Sequence, residues 1–200
     1  MQGVKIIGLI VLTILGFIHF VNDGKSEERL IKELTSNKWH NDVGRIEKLE
    51  DQRFKPKPGD ILVTNKSIVT SLFGHSAIYI GDDTVVEIKG YHQYPIKTRY
   101  QDFLKQNATT SKWVKIYRVP DRDVGKRAAD FAAHHLADTD MPYALDPTLR
   151  NLTSTYCSKL IWQAYYYGAG ASSVTGSDQL VISPYLLPTY IKGAQLVAAY

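Results

Sequence analysis

From Gly3 to Val21 the chain is apolar almost without interruption, with only Lys5, Thr13 and His19 breaking the run. Its length is close to the roughly 20 residues of a spanning helix. Its end, Gly16-Phe17-Ile18-His19-Phe20-Val21, lacks the small residues of a signal-peptidase site. The pattern predicts an N-terminal membrane anchor or signal segment over residues 1–24, more in keeping with an uncleaved transmembrane anchor. Lys5 would hold its amino end in the cytoplasm and the rest would lie outside. Residues 25–54 are polar and charged, with Leu30, Ile31, Leu34, Trp39, Val43, Ile46 and Leu49 recurring at helical spacing, so a helical lead-in is expected there. Pro56-Lys57-Pro58-Gly59 ends it, and residues 55–200 read as one domain.

Within that domain the period of the apolar positions changes. Asp60 to Thr64, Ala77 to Ile80, Thr84 to Ile88 and Trp113 to Val119 are short apolar runs of the strand kind. Arg122 to Leu136 is alanine-rich and amphipathic, which predicts a helix. Ser154 to Tyr166 predicts another, with Ser154 and Thr155 as N-cap residues and Gly168 and Gly170 as the stop. Consecutive strands are joined by short turns rather than by helices. The order therefore predicts an α+β domain in which an antiparallel sheet packs against helices.

Composition narrows the chemistry. The 200 residues are 44% hydrophobic and 22% charged, an ordinary globular balance, and the formal net charge is only +4. Such a mildly basic, scattered surface excludes a nucleic-acid partner of the polycation kind. A single cysteine, Cys157, excludes an intramolecular disulfide framework and a multi-cysteine zinc site.

Cys157 falls in the first turn of the second predicted helix. Free backbone N–H groups and the helix dipole stabilise an anion there, so the thiol is either an activated nucleophile or a small buried apolar residue. A nucleophilic thiol needs a base and a group that orients the base. His75, after Gly74 at the entry to the hairpin, is placed to be the base, and Glu87 lies on the returning strand. A two-residue loop at Asp82-Asp83 would put His75 and Glu87 on opposite faces. A three-residue loop, Gly81-Asp82-Asp83, pairs Ala77 with Glu87 and puts the two on one face, and this loop is the one expected. On spacing alone Glu87 reads first as a solvated strand carboxylate. His134, His135, Asp138 and Asp140 fit no common metal-ligand spacing, so no metal is assigned.

Pro58-Gly59-Asp60-Ile61-Leu62, Gly74-His75-Ser76-Ala77-Ile78-Tyr79-Ile80-Gly81, Val86-Glu87 and Tyr156-Cys157-Ser158-Lys159-Leu160 together resemble the circularly permuted papain-like amidases of the YiiX/YaeF/YycO type. These are relatives of the NlpC cell-wall peptidases and of lecithin:retinol acyltransferase. The resemblance implies a permuted papain-like (NlpC-like) fold over residues 55–200, with the nucleophile at a helix N-terminus and the order histidine, carboxylate, cysteine. It makes Cys157 the nucleophile, His75 the base and Glu87 the orienting carboxylate, with Tyr156, Tyr143 and Ser76 as substrate contacts. Lys159 departs from the acidic residue the family often carries there. The implied activity is that of a cysteine amidase or peptidase acting through a thioester on cell-wall peptides or small amides, with no cofactor. Lipid acyl transfer or deacylation is the first alternative, and a non-catalytic small-ligand-binding domain is the second. With the N-terminal segment, the expected location is a bacterial membrane with the domain outside the cytoplasm, or secretion if that segment is cleaved.

Overall fold

The computed structural model describes residues 54–65, 74–176 and 180–200. Ile61–Thr64 (β1), His75–Gly81 (β2), Thr84–Glu87 (β3), Ile96–Arg99 (β4), Val114–Arg118 (β5) and Gln195–Ala199 (β6) form a six-stranded sheet in the order β4-β3-β2-β1-β5-β6. Every neighbouring pair is antiparallel. The α+β expectation of an antiparallel sheet against helices is met.

The helices are Tyr100–Asn107 (α1), Arg122–Phe131 (α2), Cys157–Gln163 (α3) and Leu187–Tyr190 (α4). α2 continues as a π-helical turn over Ala132–Leu136, and α3 as one over Ala164–Ala169. Asp121 caps α2, its carboxylate accepting from the backbone N–H groups of Asp123 at 2.9 Å and Val124 at 3.3 Å. α2 and the continuation of α3 come so close that a Cβ at Gly168 would fall on the Arg127 carbonyl. Only glycine fits there.

Both faces of the sheet are covered, which is why β1 reads as the continuous apolar run Ile61-Leu62-Val63 rather than as an alternation. Ile61, Val63, Ile78, Val86 and Ile88 pack with α2 and α3. Leu62, Ala77, Tyr79, Val85, Val114 and Ile116 pack on the opposite side with Tyr100 and Phe103 of α1. Burial of these two apolar layers is the main driving force for the domain.

The expectation of a transmembrane signal-anchor is corrected. Among the described residues no helix is long and apolar enough to cross a membrane. The segment 1–24 on which that expectation was placed lies outside the described residues, as does the lead-in up to residue 53.

Candidate active site

Cys157 is the first residue of α3 and is almost fully buried, packed among Ile78, Leu160 and Ile161 in the helix-side core. The expected cap is not the one found. Tyr156 occupies the N-cap and makes no side-chain cap bond, while the Thr155 hydroxyl donates to Gln163 Oε1 at 3.1 Å and Ser154 Oγ lies 3.5 Å from Asp146 Oδ2. The hydroxyls go to holding a loop, so the first-turn N–H groups of α3 are not taken by a capping side chain.

His75 opens β2, and the residue before it sets its position. Gly74 has φ 65°, and a Cβ there would lie 2.8 Å from both the Thr64 carbonyl and the Tyr185 ring. The backbone turns there as only glycine readily allows. The His75 ring is buried with its centroid 6.0 Å from that of Phe103, and its Nε2 donates to Glu87 Oε2 at 2.7 Å. Nδ1 is the nitrogen left for Cys157, with whose thiol the ring interacts. Glu87, the last residue of β3, is 3% exposed. Its Oε1 accepts from Thr98 Oγ1 at 2.6 Å and lies 3.6 Å from Lys89 Nζ.

The hairpin that unites His75 and Glu87 differs from the expected one. Asp82 and Asp83 both have positive φ, 46° and 55°, and Gly81 pairs with Thr84, so the turn has two residues, not three. Between Tyr79 and Gly81 the register shifts, and Ile80 is the extra residue of a β-bulge. Beyond it Tyr79 pairs with Val85 and Ile78 with Val86. In that register Ala77 falls opposite Glu87. A bulge plus a two-residue turn thus yields the same parity as a three-residue loop.

The electrostatics form a relay. Burial alone would lower the basicity of His75, but its hydrogen bonds to Cys157 and Glu87 and their charges raise its pKa to about 9. Burial would likewise push the Cys157 thiol up. The His75 hydrogen bond and charge outweigh this, helped by the Ser158 and Ser76 hydroxyls, and the thiol lies below its ordinary value. Burial also opposes ionisation of Glu87, yet His75, Thr98 and Lys89 hold its pKa below the usual carboxylate value. Both shifts run in the direction of the thiolate–imidazolium pair over the neutral pair.

Of the other residues singled out in the sequence, Ser76 is fully buried, and its hydroxyl helps to lower the pKa of the thiol. Tyr143 is half-buried, its ring 5.3 Å from that of Tyr91, and both burial and the nearby thiolate charge hold its hydroxyl in the neutral form. Tyr156 is buried, and its hydroxyl accepts from the Ile182 N–H at 2.9 Å and lies 3.4 Å from the Leu180 carbonyl oxygen. That phenol is committed to backbone. His134 and His135 are exposed on the π-helical turn after α2.

Three further groups position the site. Thr98 orients Glu87. Lys159, fully buried, lies 3.0 Å from Asp146. Gln163 Nε2 donates to the carbonyls of Leu149 at 2.9 Å and Asn151 at 2.8 Å. With the backbone bonds Ala144 N–H to Thr155 O and Thr155 N–H to Pro142 O, they pin residues 142–155 to the base of α3. Tyr143 is carried on this pinned loop.

A family model described as "Lipoprotein N-acylation protein LnsA-like" matches residues 11–198. An uncharacterized 30.3 kDa protein of Bacillus thuringiensis is 30% identical over 146 residues, or 68% of this chain and 54% of that protein. The chain thus spans about half the length of that curated relative. Among solved structures, the metalloprotein YiiX from Escherichia coli O157:H7 aligns with a TM-score of 0.53 at 15% identity, over 74% of this chain and 99% of that one. That likeness is one of fold. Among the described residues here, no group of three or more His, Cys, Asp or Glu could hold a metal ion.

Proposed function

The chain belongs to the LnsA-like family of lipoprotein N-acylation proteins, and from that premise we propose that it transfers an acyl group through a thioester on Cys157. The donor is an acyl ester of a lipid and the acceptor an amine of a lipoprotein. The observation that carries this reading is the buried relay in which His75 bonds Glu87 at 2.7 Å and holds the Cys157 thiol below its ordinary pKa. The order histidine, carboxylate, cysteine is read as the permuted papain-like arrangement.

In the first step the thiolate attacks the ester carbonyl, the carbon–oxygen bond breaks, and the leaving alkoxide takes the proton of the His75 imidazolium. Backbone N–H groups at the start of α3 face the developing oxyanion. In the second step neutral His75 takes a proton from the acceptor amine, the carbon–nitrogen bond forms, and the carbon–sulfur bond breaks. The thiolate–imidazolium pair is restored. Glu87 keeps the imidazole oriented and supports its charge throughout.

Phospholipid vesicles carrying a radiolabelled acyl chain test the reading. The full chain should acquire a hydroxylamine-sensitive label that Cys157→Ala lacks, and an amino-terminal lipopeptide should then carry the label as an amide. Release of the label only as free acid would make water the acceptor and the protein a lipid deacylase. Cleavage of cell-wall peptides with no lipid label would move the assignment to the amidase reading. Absence of every one of these reactions would leave a binding domain.

A further inference from the structure

Two buried hydroxyls near the thiol stand outside the His75 and Glu87 relay: one lies beside the sulfur, and the other faces the same helix without a partner among the described residues. Ser158 Oγ, fully buried on α3, lies 3.8 Å from Cys157 Sγ. Ser76 comes from the sheet. Along β2 it shares the side of Ile78, facing α3, whereas His75 shares the side of Ala77 and Tyr79. At the start of that strand both residues act on the thiol electrostatically, His75 and Ser76 each lowering its pKa. Ser76 Oγ is fully buried, yet it has no hydrogen-bond partner among the described residues. A buried hydroxyl left unpaired is destabilising, and replacing it by an apolar group is neutral or better for stability. Its presence needs a reason other than the fold.

We propose that the Ser76 and Ser158 hydroxyls are donors held beneath Cys157 Sγ to receive the negative charge that returns to sulfur when the acyl group leaves. The proposal deepens the acyl-transfer reading and rests on it. In the second step the electron pair of the carbon–sulfur bond goes to Sγ while His75 holds the acceptor's proton. A less basic thiolate leaves faster, and two hydroxyl donors make it less basic. In the first step the same donors lower the nucleophilicity of the thiolate but enlarge its fraction, so the two effects oppose each other. The hydroxyls therefore act on release of the acyl group far more than on its capture. They are positioning residues, acting through the sulfur.

The full chain and p-nitrophenyl butanoate separate the two steps, because acylation releases a burst of nitrophenolate and deacylation sets the steady rate. For Ser76→Ala the steady rate should fall about tenfold, as for loss of a hydrogen bond to a charged group. The burst should change by less than about threefold, and the butanoyl enzyme should accumulate by intact mass. The thermal midpoint should hold or rise, which a structural role would not produce. Ser158→Ala should act in the same direction. The acid limb of Cys157 alkylation should move to higher pH in both variants, while His75, Tyr143 and Tyr156, the other titratable groups facing the sulfur, are left in place. A wild-type burst with an unchanged steady rate in both variants would overturn the proposal and leave acyl transfer standing. Loss of stability together with equal loss of burst and steady rate would make these serines structural and overturn it as well. A wild type with no burst would remove both readings.

Discussion

Nε2 of His75 and Oε2 of Glu87 lie 2.7 Å apart although they come from the two ends of a hairpin whose two-residue turn alone would put them on opposite faces. The single extra residue Ile80 reverses that parity. Because Glu87 is buried, its negative charge acts on the imidazole with little screening. Glu87→Gln keeps the shape of the side chain and removes the charge. The upper pKa of the pair should fall from about 9 toward the ordinary histidine value of about 6.5, and kcat/KM should drop on the order of 100-fold. A pH–rate profile of the variant reads the first and steady-state kinetics the second. An upper limb unmoved by the substitution would take Glu87 out of the relay.

The pH dependence of the wild type has two limbs of different origin. As pH rises through the lowered Cys157 value, the thiolate forms and alkylation by iodoacetamide speeds up. As pH rises through about 9, His75 loses its proton. The thiolate survives that loss, but the leaving group of acylation has no acid. Alkylation should therefore stay high above pH 9 while turnover falls. In His75→Ala, burial acts on the thiol without an opposing imidazolium, so the alkylation limb should move upward in pH, beyond the ordinary thiol value of about 8.5. Coincident decline of alkylation and turnover at high pH would refute the assignment.

Thr98→Val removes the hydroxyl that donates to Glu87 Oε1 at 2.6 Å and preserves the branched shape. The carboxylate then has one fewer donor to fix its orientation. Turnover should fall about three- to tenfold, with stability changed by no more than about 1–2 kcal/mol. Thr98→Ser, which restores the donor, should recover most of the rate. Failure of serine to rescue would mean that the methyl group rather than the hydrogen bond matters.

The legible and the hidden parts of the molecule divide along physical lines. β1, β2, β3 and β5 were readable because two-sided burial demands apolar runs such as Ile61-Leu62-Val63. That His75 and Glu87 share a face was readable from counting parity around the turn, whereas spacing alone favoured a solvated carboxylate at Glu87 and only the fold shows it buried at 2.7 Å from the imidazole. β4 was not, since Ile96-Lys97-Thr98-Arg99 is a four-residue strand with alternate exposed charges, and Thr98 was lost with it. α1 was missed for a similar reason, its apolar face reducing to Tyr100 and Phe103. The bulge at Ile80 leaves no local mark, because Asp82 and Asp83 tolerate the left-handed region without the Asn-Gly or Asp-Gly pair that usually announces such a turn. Ser154 and Thr155 looked like caps because their residue types suit that role. Only the folded loop shows that Asp146 and Gln163 engage their hydroxyls.

The ion pair between Lys159 and Asp146 offers a test of how the loop over residues 142–155 is held. The Lys159 side chain is fully buried and its Nζ lies 3.0 Å from Asp146 Oδ2. Asp146 is partly exposed and also accepts from the Thr148 N–H at 2.9 Å and Asn151 Nδ2 at 3.0 Å. The two partners are therefore not equivalent. Asp146→Ala withdraws the carboxylate from a buried ammonium and should cost about 3 kcal/mol, whereas Lys159→Met leaves a carboxylate with other donors and should cost less. The double variant should be more stable than Asp146→Ala alone, because it no longer buries the charge. Burial opposes ionisation of Asp146, but the Thr148 hydrogen bond and Lys159 outweigh it and hold its folded pKa below the ordinary value. Its contribution is therefore complete above about pH 4 and is lost as pH falls through the lowered value. Urea denaturation from pH 7 down to pH 3 should show that acid limb in the wild type and a shallower one in Lys159→Met. Because the loop carries Tyr143 beside the thiol, Asp146→Ala should also raise KM more than it slows alkylation of Cys157. Equal stability of Asp146→Ala and the double variant would show that the loop is held by its backbone bonds to Thr155 and by Gln163, and not by this pair.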